Sequence, residues 1–445
     1  MTELEHVEIE GFKGLEYVEF EPTDINLITG RNNTGKTSFL EAVNLAFDLS
    51  YVNHFERKVD KLINVDAAES RIRVQRASNK ESITIRRPTI AEAKGHLVKT
   101  LIENLSFQRE GLHEFGFQAR FDTENDFVRV LEERTDMDSV TVGTEIETGL
   151  KQTVTTVLDQ SLRGETADRF SEECLVFEKN GEQFPYVYFQ DLSDVLRNHY
   201  DEIGRAFERE IKAEFEAENL RTPDEHGDLI YPGGDRDKFF EFLFDQPPDE
   251  GQFLRKPTGK QELLFIKSRR LTERDQNIDP EEHAIKIDDI GDYVKETELI
   301  DGLKTFNLDY LVFEEDGEKH DIPYDFMGDG FKSIVGLLWE LMDDDVENEI
   351  VLLEEPETHM HPGYVREVVY FLIDLAREED VQLFITTHDS DFINDFFTEN
   401  LTDEEEAYLE DEFSLLRMEE DDAVVEDYET ARENLKDLHL DLRGI

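Results

Sequence analysis

Apolar and polar residues alternate at the start of the chain. His6-Val7-Glu8-Ile9-Glu10 and Tyr17-Val18-Glu19-Phe20 each read as half-buried strands, with Gly11-Phe12-Lys13-Gly14 between them. Ile25-Asn26-Leu27-Ile28-Thr29 is a short, mostly apolar strand, and Phe39, Val43, Leu45 and Ala46 mark a helix after it. Arg71 to Arg87 predicts a hairpin whose strands are Arg71-Ile72-Arg73-Val74 and Ile83-Thr84-Ile85. Further on, Leu192, Val195, Leu196, Ile203 and Phe207 predict helix between Asp191 and Leu220. Tyr231-Pro232-Gly233-Gly234 and Gln246-Pro247-Pro248 read as exposed loops. Order returns with the strands Glu262-Leu263-Leu264-Phe265-Ile266 and Asp309-Tyr310-Leu311-Val312-Phe313. Phe331, Ile334, Val335, Leu338 and Met342 then fall at helical spacing. Strand Ile350-Val351-Leu352-Leu353, helix Gly363 to Glu379 and strand Val381 to Thr386 follow. Helix alternating with buried strand predicts a mostly parallel α/β sheet. No fixed-period repeat or sustained heptad occurs, which argues against a long coiled coil.

Composition changes this picture in one respect. Hydrophobic residues at 38% lie below the globular norm of about 45–50%, and charged residues at 35% lie above about 25%. That pairing is shared with disordered chains, but 32 Phe, 13 Tyr and the compact apolar runs argue for a folded core. The net charge of −61 is spread from end to end. Self-repulsion on that scale opposes a compact state unless salt screens it, so the sequence predicts a halophilic setting. Charge therefore does not discriminate for or against nucleic acid. The single cysteine, Cys174, excludes an internal disulfide or a cysteine zinc site. Met1-Thr2-Glu3-Leu4-Glu5-His6 lacks signal-peptide character, and no uncharged apolar run reaches membrane-spanning length. The expectation is a cytoplasmic protein with no membrane partner.

Four segments carry candidate chemistry. Gly30-Arg31-Asn32-Asn33-Thr34-Gly35-Lys36-Thr37, followed by Ser38, matches the phosphate-binding pattern G-x-x-x-x-G-K-[ST]. Its glycines let backbone N–H groups close on a β-phosphate, and the next helix aims its positive end at the same anion. Lys36 reaches the β- and γ-phosphates and the Thr37 hydroxyl sits on Mg²⁺ in that pattern. An ordinary glycine loop is the alternative, but the strand before and helix after supply the required context. The second segment is Ile350-Val351-Leu352-Leu353-Glu354-Glu355-Pro356-Glu357, where a buried strand delivers two carboxylates at its C-terminal end. Glu354 suits the Mg²⁺ shell, and Glu355 suits the orientation and deprotonation of a water. In a chain this acidic a Glu pair is meaningful only because the apolar strand precedes it. The third is Met327-Gly328-Asp329-Gly330-Phe331-Lys332-Ser333, a glycine-flanked helix start that serves equally as an anion site or as a plain cap. The fourth is Ile385-Thr386-Thr387-His388-Asp389-Ser390, where His388 ends a strand; a His there can donate to a γ-phosphate, although in isolation a lone His is more often structural. His359 and His361 form an H-x-H pair with no third ligand in view, so they read as structural.

The order of these segments resembles the split ATPase head of the ABC class, as in SMC and RecF-like proteins and OLD-family ATPases. Leu352-Leu353-Glu354-Glu355-Pro356-Glu357-Thr358-His359-Met360-His361-Pro362 is similar to the acidic strand and loop of AAA-type, OLD-like ATPases. Leu440-Asp441-Leu442-Arg443-Gly444 is similar to the ending of their stand-alone members. The resemblance covers about residues 1–50 and 262–445 and implies an α/β P-loop NTPase, an ABC/SMC-type ATPase head split by a long α+β insertion. It divides the chain into 1–100, with the phosphate loop, the insertion 101–261, and 262–445, with the signature-like turn, acidic strand and His switch. It implies ATP and Mg²⁺ as cofactors and a homodimer with ATP between subunits. Gly30 to Ser38, Glu354, Glu355 and His388 of one subunit would face Gly328, Asp329 and Gly330 of the other. Gly328 stands where a serine is usual, Asp389 where a serine is common, and the Q-loop glutamine falls on Gln75, Gln108 or Gln118.

The leading functional expectation is an ATPase whose nucleotide-driven dimerisation serves DNA-related or anti-phage defence work, with DNA as a candidate partner. The alternative is a sensor or regulatory subunit whose nuclease or toxin is a separate effector chain. A fused OLD-like nuclease is disfavoured because roughly fifty residues follow His388, short for a further domain; acidic pairs such as Asp235-x-Asp237 arise by chance. A transporter subunit fits less well, given Gly328 and the long insertion. A GTPase is disfavoured by the lack of an Asn-Lys-x-Asp motif.

Overall fold

The computed structural model describes residues 3–77, 79–95, 152, 155–156, 159, 174–187, 263–267, 283–297, 299–300, 302–315, 317–342, 349–419 and 423–437. The helix expected over 191–220, the loops at 231–234 and 246–248, Gln108, Gln118, Asp235, Asp237 and the ending 440–444 lie outside these. Two compact units divide the chain. Met1–Val52, Lys61–Thr84 and Lys256–Ile445 make the first, and Asn53–Asp60 with Ile85–Arg255 the second.

In the first unit the opening strands are β1 (Leu4–Phe12), β2 (Leu15–Phe20) and β3 (Ile25–Gly30), followed by α1 (Lys36–Phe47) and the hairpin β4 (Glu69–Arg76) and β5 (Lys80–Arg86). β1 pairs antiparallel with both β2 and β4. Its period-two pattern buries Val7 and Ile9 and leaves Glu8 and Glu10 to face Arg73 and Arg71 across the ladder. Arg73 and Glu8 stand 2.6 Å apart, and Arg71 and Glu10 3.2 Å.

The second half of this unit supplies β8 (Leu263–Lys267), α2 (Ala284–Glu296), β9 (Leu303–Phe306), β10 (Tyr310–Glu315) and β11 (Glu318–Pro323). After them come α3 (Asp329–Leu341), β12 (Ile350–Glu354), α4 (Pro362–Glu379), β13 (Gln382–Thr386), α5 (Ser390–Asp395), α6 (Asp403–Glu412), β14 (Phe413–Met418), β15 (Ala423–Asp427) and α7 (Tyr428–Arg432). The central sheet runs β15-β14-β3-β13-β12-β8. All its neighbours are parallel except β14 and β15. The mostly parallel expectation therefore holds for this sheet, while β9–β11 and the β1–β2–β4 ladder are antiparallel. β13 is not the last apolar strand: β14 follows and lies directly beside β3, with Leu415 and Leu416 fully buried.

Parallel strands covered on both faces read as continuous apolar runs. Leu27, Val351, Leu353, Leu383 and Ile385 point to one face, into a core with Ile334, Val335 and Leu338 of α3 and Val369, Leu372 and Ile373 of α4. On the other face Phe384 meets Phe39 of α1 at 6.3 Å, and Phe39 stacks edge-on against Phe20 at 6.2 Å. Thus α1 lies between the parallel sheet and the antiparallel ladder, and the loop before it is clamped from both sides.

The second unit contains the hairpin β6 (Cys174–Lys179) and β7 (Glu182–Val187), turned at Asn180 and Gly181 with φ 51° and 88°. Two successive left-handed residues match the right-handed twist of a two-residue hairpin, which explains Asn-Gly here. Cys174 is buried and forms no disulfide. Among the described residues no helix is long and apolar enough to cross a membrane.

Candidate functional site

β3 ends where the phosphate loop begins. Gly30 and Gly35 take φ 145° and 97°, and Asn33 takes 72°. A Cβ at Gly30 would collide with the Met418 carbonyl, and one at Gly35 with the Leu15 side chain, so both positions require glycine twice over. The Thr34 hydroxyl donates to the Arg31 carbonyl at 2.9 Å and tightens the turn. Helix α1 starts at Lys36 with no side-chain cap on its first N–H groups. Those groups and the loop amides form a ready anion site. Arg31, Asn32 and Asn33 are exposed, while Thr34, Gly35, Thr37 and Ser38 are half-buried. Lys36 is buried, and its ammonium donates to the Gly30 and Arg31 carbonyls at 2.8 and 3.1 Å. Burial lowers the Lys36 pKa, and the carboxylates of Glu355 and Glu357 oppose that shift.

β12 carries its two carboxylates to this loop. Glu354 Oε1 accepts from the Thr37 hydroxyl at 2.7 Å, and its Oε2 lies 3.2 Å from the Lys267 ammonium. Glu355 follows at φ 46°, a left-handed conformation that a non-glycine residue adopts only when its surroundings impose it. Its N–H donates to the Thr386 carbonyl at 3.0 Å, so β13 fixes where the chain turns. His388, just past β13, places Nδ1 3.0 Å from Glu355 Oε1. Thr37, Lys36, Glu354, Glu355 and His388 are therefore brought together from two parallel strands and one helix, at the strands' C-terminal ends.

Several residues here escape sequence reasoning. Glu357 is 5% exposed, and its Oε1 accepts from the Thr387 hydroxyl at 2.5 Å. Burial pushes its carboxyl up to about 7, against the Thr387 hydrogen bond that holds it down; the charge of Glu355 adds to the rise and His388 opposes it. Burial likewise raises the Tyr51 phenol, with Glu41 and Glu354 adding to the shift. Leu15 and Met418 close on the loop glycines from distant strands. For Glu357, Leu15 and Met418 alike the sequence held no signal that sets them apart from their neighbours.

The glycine turn lies at the start of α3. Gly328 is the N-cap of α3, with nothing near its Cα that a side chain would meet. A Cβ on Gly330 would lie 2.8 Å from the His359 carbonyl, so Gly330 packs on the loop after β12. Asp329 is exposed at the helix start. His361 accepts from the Gly363 N–H at 3.2 Å and caps α4, the structural role expected of it. Asp389 caps α5 by accepting from the Asp391 and Phe392 N–H groups at 2.7 and 3.3 Å, which accounts for an aspartate after His388. Gln75 lies exposed on β4 opposite His6.

The family described as AAA ATPase domain matches residues 3–393. An uncharacterized protein of Methanocaldococcus jannaschii is 30% identical over 120 residues, which are 26% of this chain and all of that one. The SMC head domain of Thermotoga maritima matches at TM-score 0.38 and 10% identity, over 95% of this chain and 98% of its own. The Smc head domain of Pyrococcus furiosus with an extended coiled coil, bound to the C-terminal domain of ScpA, matches at 0.39 and 11%, over 98% and 99%. That of Pyrococcus yayanosii with a coiled coil and joint matches at 0.39 and 12%, over 98% and 99%.

Proposed function

The chain belongs to the AAA ATPase domain family, and from that premise we propose that it binds ATP in the loop Gly30–Ser38 and hydrolyses it with Glu355 as base. The observation that carries this reading is the meeting of Thr37 Oγ1 and Glu354 Oε1 at 2.7 Å beside the Glu355–His388 pair at 3.0 Å. A hydroxyl and a carboxylate are hard oxygen donors, the set Mg²⁺ takes when substrate phosphates complete its shell. Thr37 and Glu354 would hold it, and bound there it would neutralise charge on the phosphates. Lys36 would exchange its two loop carbonyls for phosphate oxygens. Glu355 would orient a water and take its proton, and the His388 imidazole would keep the Glu355 carboxylate aimed.

In this reading 1–100 and 262–445 form the ATPase head and 101–261 is inserted. Two cytoplasmic copies close on ATP, with Gly328, Asp329 and Gly330 of one supplying backbone N–H groups to the nucleotide of the other. The finer assignment to DNA-related or anti-phage defence work, with a separate nuclease or toxin as effector, rests on the OLD-like resemblance of Leu352–Pro362. An adjacent nuclease or toxin gene supports it, and unrelated neighbours count against it.

Glu355→Gln tests the chemistry. It keeps size and hydrogen-bonding reach, so ATP and Mg²⁺ still bind, but the water lacks its base, a loss of about 10²–10⁴-fold in rate. An ATP-bound dimer should then accumulate, visible by size-exclusion with light scattering. Hydrolysis at the unsubstituted rate would show that another carboxylate carries the reaction.

A further inference from the structure

We propose that Glu357 is a positioning residue that, through the Thr387 hydroxyl, holds the His388 imidazole against Glu355. The proposal rests on the ATPase reading above for its consequence and on geometry for its substance. The Thr387 hydroxyl donates to Glu357 Oε1 at 2.5 Å and accepts the Asp389 N–H at 3.0 Å. The Thr387 N–H donates to the Ile28 carbonyl of β3 at 3.0 Å. One hydroxyl thus ties both flanks of His388, and its backbone is anchored to the strand that leads into the phosphate loop. On the other side the Glu355 N–H is held by the Thr386 carbonyl and, at 3.3 Å, by the Thr386 hydroxyl. Loop 355–358 and segment 386–389 are therefore laced together on both sides of the Glu355–His388 contact.

A buried carboxylate must be compensated to be tolerated. Glu357 Oε1 has Thr387, whereas Oε2 is buried with no hydrogen-bond partner among the described residues. An apolar side chain would fill this site at lower cost if packing were its purpose. His388 and Glu355 are half-exposed or nearly so, at 51% and 35%, so their contact depends on the backbone beneath them. Glu357 is the buried group that fixes that backbone.

The test combines kinetics with a spectroscopic readout on the full chain at high salt. Thr387→Val and Glu357→Ala should each lower kcat for ATP hydrolysis about ten- to a hundred-fold with KM for ATP unchanged, the size of loss that misplacement of a reacting group causes. Thr387→Ser and Glu357→Gln, which keep the hydroxyl and the acceptor, should recover most of it. In a His388→Ala background neither Thr387→Val nor Glu357→Ala should lower kcat further, because the group they position is gone. An equal loss in that background, or unchanged kcat in Thr387→Val, overturns the proposal. Independently of turnover, the His388 ring signal in proton–nitrogen spectra of the nucleotide-free protein, assigned by its loss in His388→Ala, should shift in Thr387→Val and return in Thr387→Ser. A chain that hydrolyses no ATP would defeat the ATPase reading alone, and this spectrum would still decide the positioning role: an unmoved His388 signal refutes it.

Discussion

Lys36 and Glu357 are both buried at the candidate site, and each is informative by itself. Lys36 spends its donors on the carbonyls of the loop it belongs to, so its ammonium is already where phosphate oxygens would replace those carbonyls. Lys36→Ala should abolish ATP binding measured by calorimetry at high salt; near-normal affinity would remove the loop assignment. For Glu357 the sign of the pH effect can be worked out. Its carboxyl rises from 4.5 to about 7 on folding, so its protonated form favours the native state. That contribution is fully present below pH 4.5 and is lost as pH climbs through about 7. Above that the carboxylate is buried beside Glu355, with the Lys36 ammonium in its field. Glu357→Gln should therefore raise the thermal midpoint relative to the unsubstituted protein more at pH 8 than at pH 5. Equal differences at the two pH values would contradict the burial argument. The acidic pair Glu354-Glu355 was legible because an apolar strand ran into it. Glu357 was not, since in a chain with 108 acidic residues nothing local marks the one that is buried.

Between elements the decisive contacts are backbone on backbone. Gly330 lies in the first turn of α3, where the His359 carbonyl and the Met360 Cα approach to 2.8 and 3.4 Å of a would-be Cβ, so the loop after β12 and the start of α3 are packed as one piece. His359 holds φ 71° in that loop. Gly330→Ala should cost about 1–3 kcal/mol through this overlap, read as a lowered denaturation midpoint. Gly328→Ser, with open space around it, should leave the midpoint unchanged. A Gly328→Ser variant as unstable as Gly330→Ala would mean that the turn has been misplaced. The glycine turn was legible as a helix start, but not the partition of its glycines between contact and openness. β14 was missed altogether, because a six-residue run after the acid-rich helix α6 has no local feature that outweighs its neighbours.

At the scale of the whole molecule, a net charge of −61 predicts that folding depends on salt. The Debye length is about 3 Å at 1 M salt and about 10 Å at 0.1 M, so dilution exposes each carboxylate to many more of its neighbours. The thermal midpoint should fall steeply as KCl is lowered across that range, and a midpoint independent of KCl would end the halophilic reading. What the sequence determined by itself is local or compositional: the phosphate loop, whose glycine spacing and flanking strand and helix lie within a few residues of one another; the buried strands β3, β12 and β13, continuous in apolar residues because both faces are covered; and the acidic surface. What only the tertiary structure decided depends on pairs far apart in the chain. Met418 and Leu15 close on the loop glycines, Thr37 meets Glu354, and Thr387 joins Glu357 to the backbone around His388. Periodicity specifies which face of an element is buried; which strand lies beside which, and hence which carboxylate loses its water, is fixed by parallel pairing across long connections.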